Sequence, residues 1–204
     1  HEAKVYVNDS HALQEFHSLA SKPKVVAIGE IGLDYFYGHS DKADQLKILR
    51  FQLTVAQEHD LPVIFHVRGS KQSQAAGNDD AFADFWPIFD EFNKQKPVRG
   101  VIHSFSAGQP ELEQILSRGL LVGLNGIMTF TKNQAQLDAV KDIPLNQILV
   151  ETDAPFLTPN PFRGTICEPK HVRVTAEFLS NLRGESLEDF AAATTNNARE
   201  LFKL

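Results

Sequence analysis

Five short apolar runs, each followed by a stretch of helical periodicity, constrain the fold of this chain more than any other feature. The runs cover residues 25–30, 61–66, 98–103, 120–126 and 147–153. The first, Val25 to Glu30, is apolar on both faces, as a central parallel strand should be. The intervening segments 41–59, 110–118, 133–141 and 170–183 repeat apolar residues every three to four positions and read as amphipathic helices. Alternating strands and helices imply βα units and an α/β fold. Glu30 and His66 are 36 positions apart and His66 and His103 are 37 apart, a regular βα repeat. An eight-unit barrel takes ~250 residues, whereas this chain has 204 residues and five expected strands. Two architectures satisfy that count: a smaller open α/β sheet, or a (β/α)8 TIM-type barrel without its first three strands. The chain opens His1-Glu2-Ala3-Lys4 with no Met, which reads like the middle of a protein.

Local signals fill in the remaining elements. Asp9-Ser10 are N-cap residues for a helix reaching Ser21-Lys22-Pro23. Residues 68–80, with Gly69, Gly77 and Asn78, read as a loop. Phe82, Phe85, Trp86, Phe89 and Phe92 keep helical spacing and read as a face packed on the core. Pro87 suits a first turn, which puts the start of that helix near Trp86. A Pro-rich loop spans 154–169. Ser186 and Asp189 form a capping-box pattern for a helix over 187–195, with a last short helix over 196–203. No linker, repeat or composition break interrupts the chain, so one domain over 1–204 is expected.

Composition narrows the function classes. A 42% hydrophobic content is enough for a sizeable core. The net charge of −6 disfavours duplex binding through a broad basic face, but metal ions can supply positive charge in a small phosphate pocket. The single Cys167 excludes an internal disulfide framework and fits a reducing, cytoplasmic location. No apolar run is long enough to cross a membrane, and neither a membrane nor an obligate protein partner is expected.

Four of the five runs end in a group able to bind metal: Glu30, His66, His103 and the Glu151-Thr152-Asp153 segment. The C-terminal ends of parallel strands face one rim of a barrel, where active sites are built. Two imidazoles and two carboxylates there suit Zn²⁺, Mn²⁺, Fe²⁺ or a related ion. Water bound to such an ion becomes a nucleophile near neutral pH, and a two-metal site suits phosphate esters. His11, His17, His39, His59 and His171 fall outside this pattern and read as surface or helix-face histidines, with His39 in a rim loop.

The stretches Ala27-Ile28-Gly29-Glu30-Ile31-Gly32-Leu33-Asp34-Tyr35, Leu61-Pro62-Val63-Ile64-Phe65-His66 with Arg68, Val101-Ile102-His103-Ser104-Phe105-Ser106 and Ile148-Leu149-Val150-Glu151-Thr152-Asp153-Ala154-Pro155 resemble the TatD-like deoxyribonucleases of the metal-dependent hydrolase superfamily. The tail Thr194-Thr195-Asn196-Asn197-Ala198-Arg199-Glu200-Leu201-Phe202 is similar to that family's C-terminal motif. The resemblance implies a (β/α)8 barrel that cleaves phosphodiester bonds with two divalent metal ions (Mg, Mn or Zn), often as a 3′→5′ DNA exonuclease. Its substrate would be nucleic acid, as DNA ends or single-stranded DNA. Glu30 then corresponds to a bridging carboxylate, His66 and His103 to ligands of one metal, and Asp153 to a ligand of the other and a general base. Arg68 and Arg163 correspond to phosphate contacts. The chain also departs from the family pattern. The family's His-x-His pair is absent, which implies that the first three strands are missing. Gly69 stands where an acid is usual, the stretch from His66 to His103 is long, and Cys167-Glu168-Pro169 replaces a common Asn-Glu-Pro. Cys167 reads as passive, since no His lies close to it in sequence. The same site on another ester or amide, such as a D-aminoacyl-tRNA, and an inactive barrel remnant used for binding are the alternative functions.

Overall fold

A computed structural model describes residues 2–75 and 80–204. The expected loop residues Gly77 and Asn78, and His1, lie outside the described residues. Two compact units divide the chain at Gly100/Val101.

The first unit begins with the short helix α1 (Ala3–Tyr6) and helix α2 (Ser10–Ala20). Asp9 caps α2 as expected, its side chain accepting a hydrogen bond from Ala12 N at 3.0 Å. Strand β1 (Ile28–Asp34), helix α3 (Lys42–Glu58), strand β2 (Val63–Arg68), the short helix α4 (Lys71–Ala75) and helix α5 (Asp80–Gln95) follow. The two strands pair in parallel, and β2 also accepts the chain that follows α5, through Val63 N donating to Arg99 O.

Several sequence expectations need correction in this unit. Strand β1 does not stop at Glu30 but runs on to Asp34, so Gly32 and Asp34 are strand residues. The ladder steps from Gly29–Ile64 to Ile31–Phe65, making Glu30 the extra residue of a bulge. Strand β2 likewise continues past His66 to Arg68. The expected loop after it contains α4. Helix α5 starts at Asp80, and Pro87 lies inside it. Proline removes one helical hydrogen bond, but Phe82, Phe85, Trp86, Phe89 and Phe92 are all buried on this helix. Phe65 of β2 packs edge-on against Phe85 and Phe89, with ring centroids 5.1 and 5.9 Å away. That aromatic burial outweighs one lost bond.

The second unit holds most of strand β3 (Gly100–Ile102), then helix α6 (Gln109–Ser117), strand β4 (Leu121–Leu124), helix α7 (Gln134–Asp142), strand β5 (Ile148–Val150), and helices α8 (Val172–Arg183) and α9 (Leu187–Phe202). Strand β4 pairs in parallel with both β3 and β5. Leu112, Ile115, Leu120, Leu124, Leu179 and Phe190 form its apolar core, each fully buried. Gly119 and Gly184 end their helices with left-handed φ angles of +71°, the conformation glycine adopts without steric cost. Strands β3 and β5 are shorter than expected, so His103 and Asp153 lie just beyond their ends.

The two short C-terminal helices expected from the sequence are one continuous helix, α9. Asn197 does not interrupt it because its side chain is used elsewhere. Its amide donates to Leu145 O at 2.9 Å and Ile148 O at 2.8 Å, tying α9 to the start of β5. Among the described residues, no helix is long and apolar enough to cross a membrane.

Candidate metal centre

In the first unit the site is built on paired strand positions. Gly32 lies opposite His66, and Asp34 opposite Arg68. Paired residues of parallel strands share a face, as do residues two apart, so Asp34, His66 and Arg68 project together. Glycine is required at position 32. Its φ is +147°, and a Cβ there would lie 1.9 Å from His66 O.

Asp34 is 5% exposed and is the centre of this group. Its Oδ2 accepts from His66 Nε2 at 2.8 Å, from Arg68 Nε at 3.0 Å and from Arg68 Nη2. Oδ1 accepts from Phe36 N at 2.9 Å. Gln45 clamps the backbone from behind, accepting from Asp34 N and donating to Asp34 O. Burial opposes the charge on Asp34, but the hydrogen bonds from His66 and Arg68 and the positive charge of the Arg68 guanidinium hold its carboxyl well below the usual carboxylate range. An ionised carboxylate only accepts hydrogen bonds, so His66 Nε2 carries a proton. In the neutral ring the lone pair is then on Nδ1. That atom faces Glu30, with Nδ1 3.7 Å from Glu30 Oε2. A carboxylate behind an imidazole, with the opposite ring nitrogen facing a second acid, is the arrangement that orients metal-binding histidines.

In the second unit a histidine also lies against an acid. His103 is 8% exposed, and its Nδ1 lies 3.3 Å from Glu151 Oε1. The same oxygen accepts from Ser104 N at 2.6 Å. Ser104 takes a left-handed φ of +52°, and its hydroxyl accepts from Asn125 Nδ2 at 2.8 Å. Gly123 leaves room for the acid, since a Cβ there would lie 2.9 Å from Glu151 Oε2. Asp153 is half-buried at the head of the Pro-rich loop, with a left-handed φ of +63° that Asp tolerates better than most residues. Its carbonyl accepts from Phe156 N at 2.9 Å.

The two arginines are engaged with their own units. Arg68 binds Asp34 and lies over the rings of Phe36 and Tyr37, 5.0 and 4.7 Å from their centroids. Arg163 lies 3.8 Å from the Phe130 ring centroid and donates to Thr158 O at 2.8 Å, bracing the Pro-rich loop. Cys167 is buried, and burial pushes its thiol up, away from the thiolate needed for nucleophilic attack. His171, expected as a surface or helix-face histidine, is buried where α8 begins. Its Nδ1 accepts from Glu168 N, and its ring stacks on Phe162.

Reading the sequence by strand ends missed Asp34 and did not separate the role of Glu151 from that of Asp153. Each packs against a histidine that the same reading did find. A cue was present in both cases: an acid close to a strand-end ligand candidate, in Glu30-Ile31-Gly32-Leu33-Asp34 and in Glu151-Thr152-Asp153.

The family model described as TatD related DNase matches residues 1–203. The chain belongs to the TatD-related DNase family. It is 36% identical over 91% of its length to the metal-dependent hydrolase YabD of Bacillus subtilis, covering 68% of that relative. It is 32% identical to the 3'-5' ssDNA/RNA exonuclease TatD of Pectobacterium carotovorum, over 97% of this chain and 73% of that protein. The crystal structure of the TatD homologue YjjV from Escherichia coli superposes with a TM-score of 0.80 at 29% identity, covering 94% of this chain and 70% of that one. A TatD-family hydrolase from Entamoeba histolytica matches with a TM-score of 0.80 at 26% identity, over 95% and 69% of the two chains. The fold class is therefore α/β of the (β/α)8-barrel type, represented by five parallel strands. Family and relatives together make this TatD-family chain a metal-dependent hydrolase.

Proposed function

We propose that this chain hydrolyses phosphodiester bonds at nucleic-acid ends, as a 3′→5′ exonuclease on single-stranded DNA. The observation that carries the reading is the position of His66 between two acids, with Nε2 2.8 Å from Asp34 Oδ2 and Nδ1 3.7 Å from Glu30 Oε2. With Nε2 held by ionised Asp34, it offers Nδ1 beside Glu30, and a neutral imidazole next to a carboxylate suits a divalent cation. Support for the substrate comes from the exonuclease named among its relatives.

On this reading the metal ligands are Glu30, His66, His103 and Asp153, holding two divalent ions. Glu30 would serve as a carboxylate ligand shared by the ions, and Asp153 would also take the proton from the water they activate. Such ions supply Lewis acidity and a nucleophilic water near neutral pH. Asp34 and Glu151 are positioning residues that fix the tautomers of His66 and His103. Arg68 and Arg163 contact substrate phosphate. Because the chain carries a net charge of −6, electrostatic attraction for DNA is local to the metal centre.

The test uses single-stranded DNA labelled at its 5′ end. With Mg²⁺ or Mn²⁺ the expected product is a ladder shortened from the 3′ end, lost on Glu30→Gln, on Asp153→Asn and on adding chelator. Equal degradation in excess chelator, or unchanged activity in both variants, would overturn the reading. Release of an amino acid from an aminoacyl ester, with labelled DNA left intact, would keep the metal centre and reject the substrate.

A further inference from the structure

A second group of metal-capable side chains lies in the first unit, away from the strand ends. His17 sits in the last turn of α2, Glu58 is the final residue of α3, and His59 is the C-cap of α3. His17 Nε2 lies 2.7 Å from Glu58 Oε2. The two imidazoles meet edge to face, 4.9 Å between centroids. One ligand atom from each of the three residues lies within 4.8 Å of the other two. His59 adds a separate observation: its Nε2 is buried and has no hydrogen-bond partner among the described residues. Buried polar atoms are rarely left in that state.

We propose that His17, Glu58 and His59 form a second, structural site for a divalent transition-metal ion of the zinc class. Two imidazole nitrogens and one carboxylate oxygen are a donor set that zinc accepts, with water completing a tetrahedron. Ligand atoms around zinc lie roughly 3.4 Å apart, given bonds of ~2.0–2.1 Å. Closing the present spacing to that value takes small rotations of exposed side chains, since His17 and Glu58 are each about half exposed. Placement at helix ends favours a cation as well. The last turn of α2 and the C-terminus of α3 both present the negative end of the helix dipole.

The site is separate from the metal centre. His59 precedes the first residue of β2, Val63, whereas His66 lies further along that strand. The cluster therefore sits at the N-terminal edge of β2. In barrels of this class that face contributes stability and the opposite face contributes catalysis. An ion there would staple α2 to the end of α3.

The experiment uses the full chain, stripped with chelator and dialysed against Zn²⁺. Zinc per chain is measured by atomic emission, and melting temperature is followed as zinc is added. Wild type is expected to hold one more zinc per chain than His17→Ala. Its melting temperature should rise several degrees further with zinc than that of the variant. Zinc at the metal centre is common to both proteins and cancels in the difference. Hydrolytic activity of His17→Ala should stay within twofold of wild type. Glu58→Gln, an exposed and nearly isosteric change, should weaken the extra zinc by tenfold or more. Equal stoichiometry in wild type and both variants would overturn the proposal and leave the cluster as a hydrogen bond between neighbouring helices.

Discussion

Replacing Asp34 with Asn removes one negative charge from a pocket that holds a histidine and an arginine around it. The shape is kept, and an amide oxygen can still accept from Phe36 N. The amide nitrogen then faces the His66 and Arg68 donors, which lose their acceptor. Breaking a buried charge pair from one side costs about 3–5 kcal/mol. With the Phe36 bond retained, about 3 kcal/mol is expected, the lower end of that range. That is roughly a 150-fold change in the folding equilibrium, or a fall of ~6–12 °C in melting temperature for a chain of this size.

The pH dependence of this effect has a definite sign. The Asp34 carboxyl in the folded chain is held below its ordinary value. Its contribution is therefore fully present above the unfolded pKa of about 3.9 and is lost as pH falls toward the folded value. The gap between wild type and Asp34→Asn should not narrow from pH 7 to pH 5. It should be smaller by about 0.7 kcal/mol at pH 3.5. Urea unfolding of both proteins at the three pH values measures it. Removing the carboxylate behind His66 should also weaken Mn²⁺ or Zn²⁺ binding by about 10–100-fold in calorimetric titration. A variant within 0.5 kcal/mol of wild type at pH 7, or a gap that shrinks between pH 7 and pH 5, would refute the account of Asp34.

Two further outcomes follow from the same geometry. Glu151→Gln should lower metal affinity or kcat/KM by about 10–100-fold, because Glu151 lies against His103 Nδ1. It should lower melting temperature less than Asp34→Asn, since its carboxylate is the more exposed of the two. Gly32→Ala should destabilise by more than about 3 kcal/mol, because the new Cβ would meet His66 O at 1.9 Å. Thermal melts check the second, and metal titration with steady-state kinetics checks the first.

The alternation of apolar runs and helical periodicity was legible because β3, β4 and β5 are buried on both faces for most of their length, while β1, β2 and the long helices bury one face more than the other. Burial leaves its period in the sequence directly. Caps such as Asp9 and Ser186 were legible for a related reason. Their chemistry acts within a few residues along the chain. Errors came where a distant contact overrode a local signal. Pro87 sits inside α5 because aromatic rings from β2 and α5 pack together. Asn197 sits inside α9 because its amide reaches Leu145 O and Ile148 O. Likewise, β1 extends past Glu30 because parallel pairing with β2 continues through a bulge to Asp34.

The sequence by itself determined the class of fold and the strand-end acids and histidines, since both are written in residue type and spacing. Only the tertiary structure decided which acid stands behind which histidine. Asp34 and His66 are 32 positions apart and meet at 2.8 Å; His103 and Glu151 are 48 apart and approach to 3.3 Å. The register between strands sets those partners, and through them the ring nitrogen that each histidine presents. Register depends on how whole strands pack, and no local stretch of sequence encodes it.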